Sequence, residues 1–572
     1  MSSITKQHIG KYTYLYESES YWDSEKKRPD NRKIKIGKID LLSGEPVYKQ
    51  DYLDKLKAAG HSVDGMRLWD RGREARVNID AAPVNETHVA YEVLDSVKDF
   101  GVVYLLRELS EKIGLGGILR SELPNVWEEV FTLACYLIAA DKPLMYCSEW
   151  AESNSGLGTG NMSSQRISDL LAAFGCAERS GFYGSWHKMI REREYVALDI
   201  TSVSSYSGSI GACERGYNRD GEDLAQINIC MLFGMDSKLP VYQTLYSGSL
   251  SDVTTLKTTI SEFAAMTGGK DIMVVMDKGF YSKKNIDMLI NGCGDGMQFR
   301  FLISAPFSAN IAYDQIEAER GSIDRIDNVI LTNGSPIRGI HKLCCWGSSM
   351  SLNVHVFFNP EKSIKERNDL YGYVTSLMRQ AKADPDNKKL ASAYAKYLKI
   401  TRPRKNSKEV CVNIREDEVA WELETTGWFV LLSNFIDDPQ VAYDTYRMKD
   451  VVEKSFMRYK QNLGLKRLRV HSDDRMQNKV FIAFIALIIA SAIHETMKTK
   501  GLYKRMTFDR LFLTLAKLKA AVVNGKPILR PMTKEQVDIF KAFDIRMPDY
   551  ITLKPSIPKK RGRKPKAAPA AP

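Results

Sequence analysis

The period of apolar positions changes several times along the chain, and each change predicts a different kind of element. Up to residue 90 the sequence is polar and strand-like: "KYTYLYESESYW" alternates, and "IKIGKIDLLSGEPVYK" reads as strand, Ser-Gly turn, strand. From 91 to 190 the period becomes helical in "FGVVYLLRELSEKIGL", "NVWEEVFTLACYLIAA" and "SSQRISDLLAAFG", the last opening on a Ser cap. At Tyr195 the texture turns to α/β. "YVALDITSVSSYS" is a strand, and "LAQINICMLFGMDSKLPVYQTLYSG" holds two more around an Asp-Ser-Lys turn. A helix follows in "SLSDVTTLKTTISEFAAM", then a short apolar strand and helix in "DIMVVMDKGFYSKKNIDMLI", then the strand "FRFLIS". This order predicts a mixed sheet with helices packed on it.

Residues 304–425 break that rhythm, with β-like segments ("LNVHVFFNP", "EVCVNI", "VAWELE") around a charged helical stretch from Ser363 to Lys399. Beyond them, "YRMKDVVEKSFMRYK" reads as one helix from Tyr446 to Lys460. At about 100° per residue, Tyr446, Lys449, Glu453 and Lys460 fall within about 60° of one another. Val452, Phe456, Tyr459 and Leu463 form a neighbouring apolar stripe, so one edge is buried while the adjoining edge presents a carboxylate flanked by cations and a phenol. The run "VFIAFIALIIASAI", Val480 to Ile493, is shorter than the roughly 20 residues of a membrane span and predicts a buried core helix.

Composition narrows the function classes. A chain of 572 residues is too long for one core, and about three to five modules are expected. The net charge of +12 makes polyanions plausible partners. "KKRPDNRKIKIGK" carries seven basic residues against one acidic, and the low-complexity tail "LKPSIPKKRGRKPKAAPAAP" carries seven and no acid. The nine cysteines include no C-x-x-C pair, which argues against structural zinc and a disulfide framework and fits a reducing cytosol. The first residues lack an apolar run, so no signal peptide is expected. "HETMK" lacks the second histidine of a zincin, "TGGKD" lacks the remainder of a phosphate-binding P-loop, and there is no G-x-S-x-G elbow.

Two aspartates stand where strands deliver side chains to a sheet edge. In "YVALDITS", Val196, Leu198 and Ile200 share one face while Asp199 lies on the other with Thr201. In "IMVVMDKGF", Ile272 to Met276 is apolar on both faces, as in a central strand, and Asp277 closes it. With Glu453 these make three carboxylates, which repel one another unless positive charge lies between them. Oxygen ligands without Cys or His favour Mg²⁺ or Mn²⁺ over zinc. Two such ions roughly 3.5–4 Å apart suit phosphodiester chemistry. A basic protein built around them points to DNA or RNA as substrate.

The chain resembles the DDE transposases of bacterial insertion sequences that carry a Y-(2)-R-(3)-E-(6)-K signature. Tyr446, Lys449, Glu453 and Lys460 fit that spacing, with Lys449 where the family usually has Arg. "LDITSVSSYS" resembles the family's first-Asp strand, "GYNRDGEDLAQINICML" its second strand, and "VVMDKGFYS" its second-Asp segment. "LKRLRVHSDDRMQNKVFIAFIAL" resembles the stretch after its Glu helix. The likeness spans roughly residues 100–500.

The resemblance implies an α/β, RNase H-like mixed sheet with flanking helices, interrupted by an α+β insertion domain and joined by N-terminal β and helical regions. The expected division is a β-rich basic region at 1–90, a helical, candidate DNA-end-binding region at 91–190, a first catalytic part at 191–303, an insertion at 304–425, a second catalytic part with the Glu helix at 426–500, and a helical region with a basic tail at 501–572. It implies that Asp199, Asp277 and Glu453 are catalytic and bind two Mg²⁺ ions, with Mn²⁺ as substitute. Tyr446, Lys449 and Lys460 are expected to contact DNA. So are Arg561 and Arg563, because "KKRGRKPK" resembles an AT-hook, although a solvated basic tail explains it nearly as well. The expected partners are transposon-end and target double-stranded DNA, with a homodimer in the DNA complex and no membrane; the expected location is the bacterial cytoplasm, at the nucleoid. The alternatives are a metal-dependent nuclease of the same fold, or a transposase-derived DNA-binding protein with a regulatory or architectural role.

Overall fold

The computed structural model describes residues 2–9, 12–23, 27–39, 45–69, 97–140, 142–158, 161–190, 195–267, 273–292, 299–332, 334–347, 350–402, 410–461, 463–465, 467–523, 526–548 and 551–552. They form two units, residues 1–97 with 521–527 and residues 98–520 with 528–572. In the first, β1 (Ser2–Ile9), β2 (Tyr12–Asp23), β3 (Arg28–Ile39), β4 (Pro46–Tyr48) and β5 (Arg67–Leu68) lie side by side in chain order. The alternation of "KYTYLYESESYW" places Leu15 inward, where it meets Ile36 and Tyr52 in a small core. Tyr52 comes from a helix, Gln50–Ala58, that the strand-like reading did not anticipate. The Ser-Gly turn lies outside the described residues.

The second unit begins with a short strand, β6 (Lys98–Asp99), and the helical pattern then forms helices at Gly101–Lys112, Leu115–Glu122, Trp127–Ala139 and Cys176–Ile190. Ser163 caps the helix Ser164–Leu170 by accepting the amide of Arg166 at 3.3 Å.

The central sheet contains β7 (Tyr195–Ser204), β8 (Gln226–Gly234), β9 (Pro240–Ser247), β10 (Met273–Met276), β11 (Arg300–Ala305), β12 (Val329–Ile330), β13 (Ile337–Trp346), β14 (Met350–Phe358) and β17 (Trp428–Ser433). Its order is β12-β13-β14-β17-β11-β10-β7-β8-β9. Strands β7, β8 and β9 are antiparallel, while β10 and β11 run parallel to β7. Three antiparallel strands followed by two parallel ones, with helices on both faces, make an RNase H-like mixed sheet. Strand alternation separates the two faces. Val196, Leu198 and Ile200 enter one apolar cluster, and Ala197 and Val203 enter the other. All four residues of β10 are buried, as a strand covered on both sides requires.

Residues 304–425 form strands at "LNVHVFF" and "CVNI" and helices in the charged stretch, as read in the sequence, and differ from that reading at "VAWELE". β12, β13 and β14 extend the central sheet, and β17 fits between β14 and β11. The charged stretch forms helices at Pro360–Ala383 and Ala391–Tyr397, packed with a two-stranded ladder of β15 (Leu398–Thr401) and β16 (Cys411–Ile414) around their own small core. "VAWELE", read as β-like, is helical within Glu416–Thr425. Glu416, Asp417 and Glu418 in its first turn complement the helix dipole and outweigh the β-propensity of Val and Trp.

The apolar run Val480–Ile493 lies inside a longer helix, Asp473–Thr499. By length and composition that helix could cross a membrane, but 83% of its most apolar window is buried inside the protein. It packs under the sheet in the same cluster as Ile227, Ile229 and Met231 of β8. The run was short because polar residues such as Asn478 and Lys479 precede it; they too are buried and hydrogen-bonded.

Candidate active site

Register brings the two aspartates together. In the parallel pair β7/β10, Leu198 is the partner of Met276, so Asp199 and Asp277 are the next residues along adjacent strands. Each carboxylate is held by the backbone: Asp199 Oδ1 accepts from Ile200 N at 2.8 Å, and Asp277 Oδ1 accepts from Lys278 N at 2.6 Å, capping a 3₁₀ turn at Lys278–Phe280. Asp277 is therefore both a cap and a member of the carboxylate set.

Glu453 arrives from the helix Asp450–Gln461. Val452, Phe456, Tyr459 and Leu463 are buried beneath it, as their spacing predicts. The Tyr459 hydroxyl lies 2.7 Å from Gln243 Oε1 and 2.8 Å from the Val480 carbonyl, tying this helix to β9 and to the core helix.

The single helix expected over Tyr446–Lys460 is two. One helix ends at Arg447 and the next begins at Asp450. Between them the amide of Lys449 bonds the Tyr446 carbonyl at 3.1 Å, an i to i+3 contact that tightens and breaks the ladder. Lys449 was expected to face DNA, but the break turns it inward and leaves 4% of its side chain exposed. Its ammonium is 3.2 Å from Glu453 Oε1 and 3.5 Å from Asp277 Oδ2. Burial alone would lower its pKa, but Asp199, Asp277, Tyr446 and Glu453 outweigh that and raise it. The Tyr446 hydroxyl donates to Asp277 Oδ1 at 3.3 Å, and burial followed by the Asp277 charge raises the phenol's pKa. Burial pushes Asp199 up to about 6 against the opposing pull of Lys449.

Asp277 and Glu453 thus pair with one ammonium, and the charge of Asp199 acts on it as well. Among the described residues no three His, Cys, Asp or Glu side chains stand close enough to coordinate one ion. Asp199 and Glu453 share a cavity of about 460 Å³ with Arg219, Asp220, Glu222, Lys460 and Arg467. Lys460 donates to both oxygens of Asp220, at 2.8 and 2.7 Å. Arg467 pairs with Glu222 at 2.6 Å, and Arg219 bonds Asp252 and, at 3.2 Å, Ser202 Oγ. Sequence reasoning did not single out Arg219, Asp220, Glu222 or Arg467. The signal for them was a charged loop directly after the first-Asp strand and a basic run directly after the Glu helix. A larger cavity of about 580 Å³, between Tyr281, Asn310, Cys345 and Trp346, contains none of the predicted residues. Arg561 and Arg563 lie outside the described residues.

The strand order, with Asp199 of β7 beside Asp277 at the end of β10, is that of an RNase H-like domain. Residues 191–323 match the family model of the transposase DDE domain. The match contains Asp199 and Asp277 and ends well before Glu453. Among solved structures, the chain resembles one described as a piggyBac transposase synaptic complex with hairpin DNA, at 12% identity, covering 68% of this chain and 70% of that one, with a TM-score of 0.35. No curated protein matches the sequence.

Proposed function

We propose that the chain is a transposase that binds the terminal inverted repeats of an insertion sequence and catalyses divalent-metal-dependent strand cleavage and strand transfer. The observation that carries this reading is that Asp277 and Glu453, from a strand end and a facing helix, pair with one buried ammonium while register sets Asp199 beside Asp277 on the adjacent parallel strand. Positive charge is already stabilised among the three acids, and an all-carboxylate donor set suits Mg²⁺ or Mn²⁺. Two such ions, when bound, activate an attacking oxygen and stabilise the leaving one.

The chain's own residues supply the rest. Ile200 N and Lys278 N fix the two aspartates, so their oxygens are preorganised side by side, Asp199 within β7 and Asp277 just past the end of β10. Glu453, with 59% of its side chain exposed, can adjust to what the aspartates hold. Lys449 neutralises the acids in the free protein, and Tyr446 orients Asp277. Arg219, Lys460 and Arg467 line the same cavity, each paired with an acid of the protein, and are the cations available there to strand phosphates. Exchanging one phosphodiester for another is nearly neutral in energy, which suits a chain without a nucleotide-hydrolysis motif. Cutting two ends calls for a homodimer in the DNA complex, working in the bacterial cytoplasm at the nucleoid.

The test is incubation of a labelled duplex carrying a transposon end and its flank with Mg²⁺, Mn²⁺ or chelator. Metal-dependent nicking at the end, followed by joining of the freed 3′-hydroxyl to target DNA, is the expected result. No cleavage with either ion refutes it. The second reading, a transposase-derived DNA-binding protein, is favoured by the inward position of Lys449, which occupies the carboxylates with an internal cation. Binding without cleavage selects that reading, and cleavage without joining selects a nuclease.

A further inference from the structure

The cations best placed to receive a DNA strand are already covered by the protein's own acids. Lys460 and Arg467, with 15% and 17% of their side chains exposed, line the cavity that holds Asp199 and Glu453. Each is capped by a carboxylate from one turn, Asn218–Gly221, and the residue after it. The Asn218 side chain accepts the amide of Asp220 at 2.8 Å, and Gly221 takes a positive φ of 70°. This bend lets Asp220 and Glu222 both face the cavity. Ser204 Oγ, at the end of β7, donates to Glu222 Oε2 at 2.8 Å and receives Asn218 Nδ2 at 3.0 Å, anchoring the turn beside the candidate centre.

We infer that Asp220 and Glu222 are internal stand-ins for the strand phosphates that Lys460 and Arg467 take up, so that the turn competes with nucleic acid for these two cations. The inference rests on the transposase reading for its ligand. A carboxylate offers a cation the same paired anionic oxygens as a phosphodiester. Partly exposed ion pairs hold weakly, so a polyanion that releases counterions can displace them. The turn therefore raises the threshold for engaging DNA at the centre and favours a substrate that offers phosphates at both positions together.

The experiment measures binding of the full chain to a fluorescein-labelled mixed-sequence duplex, and to its single strand, over a salt series in chelator. Asp220→Asn keeps the shape of the turn and removes one stand-in. It is expected to tighten binding roughly three- to fivefold and to steepen the log–log salt slope by about 0.7–0.9. The gain should vanish in Asp220→Asn/Lys460→Ala. Asp223→Asn removes an equal charge from the same loop, where Asp223 pairs with Arg215 at 2.8 Å outside the cavity, and it should give no comparable gain. Unchanged affinity in Asp220→Asn overturns the inference. An equal gain in Asp223→Asn, or one that survives loss of Lys460, does so as well. A wild-type chain that binds DNA while ignoring Asp220 leaves the transposase reading standing, whereas failure of every form to bind DNA removes both.

Discussion

Lys449 Nζ stands 3.5 Å from Asp277 Oδ2, with 4% of the lysine side chain exposed against 41% of the aspartate's. The cation is buried and its partners are half open, so the pair behaves as an internal counter-ion. Replacing it by Met leaves three acids without compensation. In chelator, Lys449→Met should lose about 1–3 kcal/mol of stability. Added Mg²⁺ should restore more stability to the variant than it adds to the wild type, because a divalent ion no longer competes with an ammonium. Denaturant melts with and without Mg²⁺ check this, and equal Mg²⁺ effects on both proteins would sink it.

The inward lysine also shows where sequence reading stops. Alternation in "YVALDITS" and the apolar run ending at Asp277 were enough to place one acid on a known face of β7 and the other at the end of β10, because a strand's period fixes its faces. The buried stripe of Val452, Phe456 and Tyr459 was legible for the same reason. The break between Arg447 and Asp450 was not, since no Gly or Pro marks it and the tight turn is set by what Lys449 can reach. The joining of β12–β14 to the central sheet was hidden too: it depends on pairing with β17, about seventy residues further on in the chain, which no local pattern reports.

Two buried groups should give pH effects of opposite sign. Asp199 is raised from 3.8 to about 6 by burial, so the folded state holds a proton that the unfolded state has released. Its contribution to stability is present below about pH 4 and is lost as pH rises to about 6, a change of about 2–3 kcal/mol. His355 is fully buried, its Nε2–H donates to the Ile436 carbonyl at 3.0 Å, and burial lowers it from 6.5 to about 4. Here the unfolded state binds the extra proton, so stability falls as pH drops from about 6.5 to about 4. Relative to wild type, Asp199→Asn should therefore gain stability between pH 4 and 6, and His355→Asn should lose its relative deficit on acidification. Urea midpoints in chelator across this range test both, and a parallel offset at all pH values would contradict the assignment.

Asp199→Asn, Asp277→Asn and Glu453→Gln should each abolish end cleavage while leaving duplex affinity within about twofold, because none of the three is placed to hold a phosphate. Parallel cleavage and binding assays decide it. Near-normal cleavage in any one variant removes that residue from the centre.

Deleting residues 555–572 removes six of the seven basic residues in the tail. Binding to all duplexes should weaken and the salt slope should flatten by about 0.9 for each phosphate released. An unchanged slope would show that Arg561 and Arg563 touch no phosphate. A loss confined to A·T-rich duplexes would favour minor-groove insertion over general attraction.

The remaining prediction separates positioning from chemistry. Tyr459 is fully buried on the underside of the Glu453 helix, and its hydroxyl reaches Gln243 Oε1 on β9 and the Val480 carbonyl on the core helix. Gln243 Nε2 also donates to the Val480 carbonyl, at 3.2 Å, so the three groups form a closed set. Tyr459→Phe keeps the ring and its packing but leaves Gln243 Oε1 buried without that donor, at a cost of about 1–3 kcal/mol. The side chain is fully buried and does not line the cavity, so it is not placed to touch DNA. Its loss should let the helix shift against β9, and a displacement of about 1 Å is enough to misplace Glu453 relative to Asp199 and Asp277. Cleavage should fall by about tenfold or more while duplex affinity and its salt slope stay unchanged, and raised Mn²⁺, which tolerates looser carboxylate geometry, should recover part of the rate. Tyr459→Phe/Gln243→Leu removes donor and acceptor together, so it should recover stability without recovering cleavage. If the double variant cleaves normally, the hydroxyl serves only the core and does not position Glu453.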